Sequence, residues 1–317
     1  MAFDGVLVLD KPSGWTSHDV VAKVRRLLGI RKIGHTGTLD PSATGVLVLC
    51  VGKATRIAEY IVNSVKSYRG TLRLGITTDT QDADGAVLTR YEGRLPDEPE
   101  VRAVMSGFIG VRRQVPPMYS AVKVNGEPLY KSARAGETVV RATRECVIHA
   151  IEIFTVSRAP RTGGGESVDV VFDVTCSKGT YVRTLCADMG EALGVGGHLA
   201  ALQRRSVGRF LIEEAVSLEE LARLVEHDAV GGRVFPLEAV LADLPAFTID
   251  AASAKGVRHG MSVPSAHVLK TEGAWKAGAR VRLHGPDGML VAVGIVPWGS
   301  QGQQKSEDSI RLDKVLA

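Results

Sequence analysis

The segment Gly34-His35-Thr36-Gly37-Thr38-Leu39-Asp40-Pro41-Ser42-Ala43-Thr44-Gly45 holds the most suggestive chemistry in the chain. Its three glycines let a backbone approach a ligand closely, and Pro41 steers Asp40 away from the α region, so the carboxylate stands on an extended stretch. A presented carboxylate is one reading. An Asp-Pro turn that satisfies its own backbone fits the same residues, and spacing leaves both open. Three other candidates fail on inspection. Gly52-Lys53 follows an apolar run as a P-loop would, but Ala54 stands where Ser or Thr is needed and Leu47 where the leading glycine belongs. Asp79-Thr80-Gln81-Asp82-Ala83-Asp84-Gly85 resembles a calcium loop only at its end, with Thr80 as first ligand and Tyr91 in the bidentate position, so it reads as a carboxylate-rich turn. Ser120 and His35 carry no local hydrolase signature.

The elements around these residues follow from pattern. Gly5 to Leu9 is a short apolar strand running into the Lys11-Pro12-Ser13-Gly14 turn. A helix begins at Ser17, read as its N-cap, buries Val20, Val21, Val24, Leu27 and Leu28, and ends at Gly29. Residues 34–44 form a loop, followed by an apolar strand from Val46 to Val51. Strands are also predicted over Lys66–Leu74, Val139–Val156 and Val168–Cys176, the last alternating with Val168, Val170, Phe172, Val174 and Cys176 on one face. Val182, Leu185, Cys186, Met189 and Leu193 mark a helix capped from Ser177 or Thr180, and 217–241 reads as helical. Strands and helices mix without a regular βαβ alternation, which predicts an α+β fold around a mainly antiparallel sheet. Interruptions are expected at 93–100 and at a hairpin tip, 159–167, holding Gly163-Gly164-Gly165.

Composition narrows the class. The chain has 317 residues with 44% hydrophobic content, so disorder is excluded and two domains are expected. Lys and Arg number 39 against 35 acids, a net charge of +4 that permits an RNA partner without demanding one. Cys50, Cys146, Cys176 and Cys186 form no C-x-x-C pair and sit in apolar stretches, which suggests buried thiols in a reducing cytoplasm rather than a structural metal. The start, Met1-Ala2-Phe3-Asp4, has no basic n-region, and no apolar run is long enough to span a membrane; a soluble, unexported, cytoplasmic protein is expected.

The 34–45 segment, together with Lys11-Pro12-Ser13-Gly14-Trp15-Thr16-Ser17, closely resembles the two leading motifs of the TruB-type tRNA pseudouridine synthase family, which modifies the T-loop uridine at conventional position 55. Further pieces agree in order: Ser67-Tyr68-Arg69-Gly70, the run from Thr78 to Gly85, Pro117-Met118-Tyr119-Ser120-Ala121, Gly179-Thr180-Tyr181-Val182-Arg183-Thr184 and Leu202-Gln203-Arg204-Arg205. The likeness spans the first two-thirds of the chain.

The resemblance implies roles. Asp40 matches the catalytic aspartate, and Arg183 the arginine that pairs with it through a bidentate guanidinium, in place of a solvated helix position. Tyr68 matches the tyrosine that stacks on the target base and can assist removal of the C5 proton; as an unaided reading it is a core aromatic on a strand. Tyr181 and Leu202 match pocket-lining positions, and His35 the histidine that enters the RNA loop when the uridine is extruded. Lys11, Arg204 and Arg205 are expected to bind substrate, with Arg25, Arg26, Arg31, Lys32 and Arg209 as further phosphate contacts. The segment 118–144, basic from Lys123 to Arg144, covers the RNA-gripping thumb and is expected to be mobile without RNA.

Asp243-Leu244-Pro245 reads as a boundary between a catalytic domain, 1–244, and a small β-rich domain, 245–317, that resembles more loosely the RNA-binding PUA module. The resemblance implies a stand-alone enzyme, a monomer acting on the tRNA T stem-loop with no cofactor, metal, membrane or obligate protein partner. Two rivals are a non-catalytic tRNA-binding or tRNA-folding protein and a glycoside hydrolase; the second usually needs a pair of flanking carboxylates, and only one is marked out.

Overall fold

The apolar runs at 5–11 and 44–51 pair with each other toward one edge of a ten-stranded sheet in a computed structural model, which describes residues 3–120, 123–124, 126–129, 137, 139–160, 164–300 and 308–317. Its strands are β1 (Gly5–Lys11), β2 (Ile33–His35), β3 (Thr44–Val51), β4 (Lys66–Leu74), β5 (Gly110–Gln114), β6 (Arg144–Pro160), β7 (Glu166–Cys176), β8 (Gly197–Val207), β9 (Phe210–Leu211) and β10 (Val234–Pro236). The order is β10-β1-β3-β8-β4-β7-β6-β5, with β2 on β3 and β9 on β8. All these pairings are antiparallel except β3 with β8, where Gln203 faces Thr44 and Arg204 faces Gly45. The fold is α+β, as composition and patterning imply. Of the expected gripping segment, residues 121–122, 125, 130–136 and 138 lie outside the described residues, as do 161–163 of the hairpin tip.

Burial explains the patterns. Val46 to Val51 shows no alternation because β3 is covered on both faces: Leu47, Leu49 and Val51 face one cluster with Val20, Val21 and Val24, while Val46, Val48 and Cys50 face another with Ile57 and Ile61. On β7, Val168, Val170, Phe172, Val174 and Cys176 are buried with Leu72 and Leu74 of β4 beneath the helices α3 (Glu98–Ser106) and α4 (Val182–Ala192), after α1 (Ser17–Leu28) and α2 (Ala58–Val62). All four cysteines are buried and free.

The strand expected over Val139–Val156 instead runs from Arg144 to Pro160, and three further boundaries differ for local reasons. The N-cap of α1 is Thr16, whose hydroxyl accepts from Asp19 N at 3.1 Å while the Asp19 carboxylate accepts from Thr16 N at 3.1 Å, a reciprocal box that outcompetes Ser17. Ser17 is thereby freed to face inward. Thr16→Ala is expected to cost about 1 kcal/mol of stability, read as a lowered urea midpoint with unchanged slope; an unchanged midpoint would remove the cap assignment. Helix α4 starts at an N-cap, Tyr181, with no side-chain capping bond; Thr180 Oγ1 donates to Ser177 O at 2.9 Å and Ser177 Oγ accepts from Val147 N at 2.9 Å, so neither expected residue caps the helix. The stretch 217–241 is α5 (Leu218–Glu226), a break at Asp228, whose φ is +54°, a 3-10 turn over Val230–Arg233, β10 and α6 (Leu237–Val240).

The second sheet comprises β11 (Ala246–Ile249), β12 (Val263–Pro264), β13 (Val268–Glu272), β14 (Arg280–His284), β15 (Leu290–Ile295) and β16 (Ser309–Val315), in the order β12-β16-β15-β14-β11-β13, with α7 (Ala251–Arg258) on it. Its end packs on the first: Leu316 and Val293 join the cluster holding Val6 and Val48, and the Asp313 carboxylate accepts from Tyr60 Oη at 2.8 Å. Among the described residues no helix is long and apolar enough to cross a membrane.

Candidate active site

Asp40 occupies the crest of the loop between β2 and β3, and everything nearby fixes that loop. Ser17 Oγ donates to Leu39 O at 3.2 Å and accepts from Leu39 N at 2.9 Å, fastening the residue before Asp40 to α1. Gly14 N donates to Pro41 O at 2.9 Å, and Lys11 Nζ donates to Pro41 O, Pro12 O and Trp15 O at 3.0, 2.9 and 2.6 Å, fastening the residue after it. The Lys-Pro-Ser-Gly turn and the Asp-Pro turn are thus one structure. Gly34 and His35 belong to β2, so the loop proper is shorter than the glycine spacing suggested.

The carboxylate meets a guanidinium brought from 143 residues away. Arg183 lies in the first turn of α4, buried at 5% exposure instead of solvated. Its Nη2 donates to Asp40 Oδ1 at 3.3 Å, while Nε stands 3.0 Å from Asp40 Oδ2 as an ion-pair contact; Nη1 donates to Asp82 Oδ2 at 3.3 Å and Thr80 O at 3.2 Å, and Nη2 also to Tyr119 O at 2.7 Å. Gln114 sets the start of this helix, accepting from Tyr181 N at 3.0 Å and donating to Tyr181 O at 3.2 Å. Asp82 is the residue that sequence reading missed. Its Oδ1 accepts from Thr80 Oγ1 and from Asp84 N, and its loop is tied to β8 through Ala83 N to Leu199 O at 3.1 Å and Leu199 N to Gln81 O at 3.0 Å. The signal was present, since Asp82 falls inside the 78–85 motif, but nothing local marks a partner 101 residues distant.

Asp40 and Arg183 separate two openings. One, about 400 Å³, is lined by Asp40, Thr44, Arg183, Leu202 and the 199–203 stretch of β8, where a bulge between Leu199 and Ala201 turns the strand toward the cleft. The other, about 670 Å³, is lined by Ser17, His18, Asp40, Asp84 and Tyr119. Water still reaches 39% of the Asp40 side chain through these openings, yet desolvation by the walls raises its carboxyl above the ordinary 3.8. Arg183 opposes that rise, Asp82 adds to it, and Lys11 opposes it.

The other expected site residues divide. Leu202 lines the cleft. Tyr181 is half-buried at the entrance to α4 and outside both openings. Tyr68 is 8% exposed and lines neither opening; it lies under the loop in one apolar cluster with Leu39 and Ala43, and burial pushes its phenol up, so it stays protonated at neutral pH. His35 stands edge-on to His18 with ring centroids 5.4 Å apart, and its Nδ1 accepts from Gly37 N. Desolvation, with His18 and Arg204 nearby, lowers its pKa, which leaves a neutral ring at pH 7.

Two residues expected to bind substrate, Lys11 and Arg204, are buried. Lys11 is 0% and Arg204 2% exposed, and both donate to main-chain carbonyls, so neither side chain reaches the surface in this conformation. Arg205 remains at the surface, paired with Glu213 at 2.7 Å, and Arg209 donates to Ala239 O. Arg25, Arg26, Arg31 and Lys32 are exposed around the end of α1 and the turn into β2, close in sequence to His35.

Comparison with known proteins converges on one lineage. Residues 25–182 match the TruB family pseudouridylate synthase (N terminal domain), residues 183–242 the tRNA pseudouridylate synthase B C-terminal domain, and residues 245–305 the PUA domain. The tRNA pseudouridine synthase B of Thermobifida fusca is 47% identical over 92% of this chain and 94% of its own, and that of Burkholderia pseudomallei 44% over 92% and 93%. A solved Cbf5-Nop10-Gar1 complex superposes with a TM-score of 0.73 at 30% identity, covering 99% of this chain and 85% of that one. With these likenesses extending through both sheets and the cleft between Asp40 and Arg183, the chain belongs to the TruB family of pseudouridylate synthases.

Proposed function

We propose that this protein isomerises the T-loop uridine of tRNA, at conventional position 55, to pseudouridine, with Asp40 as the catalytic carboxylate. The observation that carries the reading is the Asp40–Arg183 pair opening onto a cleft of about 400 Å³, a volume suited to a nucleoside. In the reaction the C1′–N1 bond breaks, a C1′–C5 bond forms, and the proton lost from C5 is balanced by one gained at N1. Addition to the ring, attack at C1′ and removal of a sugar proton all use the ionised acid. Arg183 favours the ionised form of Asp40 against desolvation and aims it through one hydrogen bond and a 3.0 Å ion-pair contact.

The uridine must leave its stack to reach the cleft, at a cost of a few kcal/mol. The neutral His35 ring and the basic residues at the end of α1 are suited to bracing the vacated loop and gripping its phosphates. Tyr68 is covered here, so stacking on the base requires the residues over it to move. The structure does bring a second acid, Asp82, to the cleft. Both its oxygens are engaged, however, so it serves Arg183 and is not a free acid for hydrolysis. A binding-only protein has no use for such a buried pair.

Incubating the protein with an unmodified tRNA transcript and mapping pseudouridine tests the reading. Conversion of one uridine in the T-loop is expected, and no product, or product elsewhere, overturns it. The rate should fall as pH drops, because only the carboxylate reacts. That acid limb should lie above the ordinary aspartate value of 3.8, since the folded site raises Asp40. A limb at or below that value would contradict the desolvated site.

A further inference from the structure

Arg204 is a buried guanidinium that lies beside the Tyr68 phenol and donates to three main-chain carbonyls: Nε to Val46 O at 2.7 Å, Nη2 to Gly37 O at 3.0 Å and Nη1 to Thr38 O at 3.5 Å. Among the described residues, none of these bonds goes to a carboxylate. A buried cation without a counter-charge is expensive, and an apolar side chain of equal volume would fill the space without that penalty. What an apolar side chain could not do is hold three carbonyls at once, and the three are not random. Gly37 and Thr38 precede Asp40 and Val46 follows it, so the fork closes the loop that carries the carboxylate.

The backbone of the same residue does the complementary job. Arg204 faces Gly45 at the parallel step between β3 and β8, and a Cβ at Gly45, whose φ is +96°, would come within 2.3 Å of Arg204 O. The third glycine of the 34–45 segment is therefore required by the approach of this strand. Leu202, two residues earlier on β8, lines the cleft, so one strand both forms a wall of the pocket and fixes the acid opposite it.

We propose that Arg204 is a positioning residue for the reaction, a three-pronged staple that holds the Asp40 loop rigid against Arg183, and not a contact to RNA. The proposal rests on Asp40 being the reacting carboxylate. The test measures single-turnover pseudouridine formation, tRNA binding and thermal midpoint in Arg204→Met. The rate should fall about a hundredfold, the size of effect that a misplacement of roughly 1 Å produces, while the tRNA dissociation constant stays within about threefold of the parent. Weakened binding with an unchanged rate at saturation would make Arg204 an RNA contact and overturn the proposal, as would a variant identical to the parent in both. If the Met variant does not fold, Arg204→Lys decides by the same split, because it keeps the charge while a single ammonium cannot reproduce the fork. A rate loss of about tenfold or more with binding retained supports the staple, and a parental rate overturns it. Failure of the parent protein to make pseudouridine at all would refute the functional reading, and is distinguishable from both.

Discussion

Asp40→Asn should bind unmodified tRNA as tightly as the parent and form no detectable pseudouridine. The substitution keeps the size and one carbonyl acceptor for Arg183, so the loop, held by Ser17, Lys11 and Gly14, has no reason to move. What disappears is the charge. An amide neither adds to an electron-poor carbon nor takes a proton at neutral pH, so the chemical step loses its initiator while the contacts that grip the RNA remain. The expected loss is at least about 10⁴-fold, comparable to removal of a reacting group elsewhere. Filter binding and pseudouridine mapping on the same preparation read the two properties separately. Turnover near that of the parent would remove Asp40 from the chemistry. Equal loss of binding and turnover would make it a docking residue.

Much of the scaffold was legible because local rules governed it. β4 runs from Lys66 to Leu74 as read, and the alternation on β7 is buried on the expected face. Gly29 ends α1 at φ +66°, where a glycine costs least. The misreadings have a common cause. Ser17 is a good capping residue in isolation, but Thr16 with Asp19 makes the better box, and only the fold reveals that the Ser17 hydroxyl is owed to Leu39. Lys11 and Arg204 are basic residues in RNA-family motifs, for which contact with the substrate is the natural reading. Their burial depends on strands meeting across 30 and more than 150 residues of sequence. Asp82 was visible as a carboxylate in a tight turn, yet its meaning lies in a helix that begins a hundred residues later. Residue types can mark a motif; which donors are spent internally and which face a ligand is decided by long-range packing.

Arg183→Met carries the other large expected effect, and it separates the electrostatic from the structural work of the pair. Removing the guanidinium leaves Asp40 and Asp82 facing the same space with no cation between them, and frees the carbonyls of Thr80 and Tyr119. Because Arg183 lowers the pKa of Asp40 against desolvation, its loss lets that pKa climb further, so at a fixed pH less of the acid is ionised. The rate at neutral pH should fall by about 10²- to 10³-fold, with the acid limb displaced to higher pH and partial recovery on the alkaline side. Stability should fall too, by up to about 3 kcal/mol, below the usual cost of breaking a buried pair because water reaches Asp40 and screens it. Adding Asp82→Asn resolves the two contributions. Neutralising the second acid relieves the repulsion, so the double variant should regain part of the lost unfolding free energy while its turnover stays low, since nothing orients Asp40. An acid limb that stays in place in Arg183→Met would mean that the arginine does not hold the carboxylate ionised. Recovery of turnover in the double variant would mean that its part in the reaction is only to neutralise Asp82.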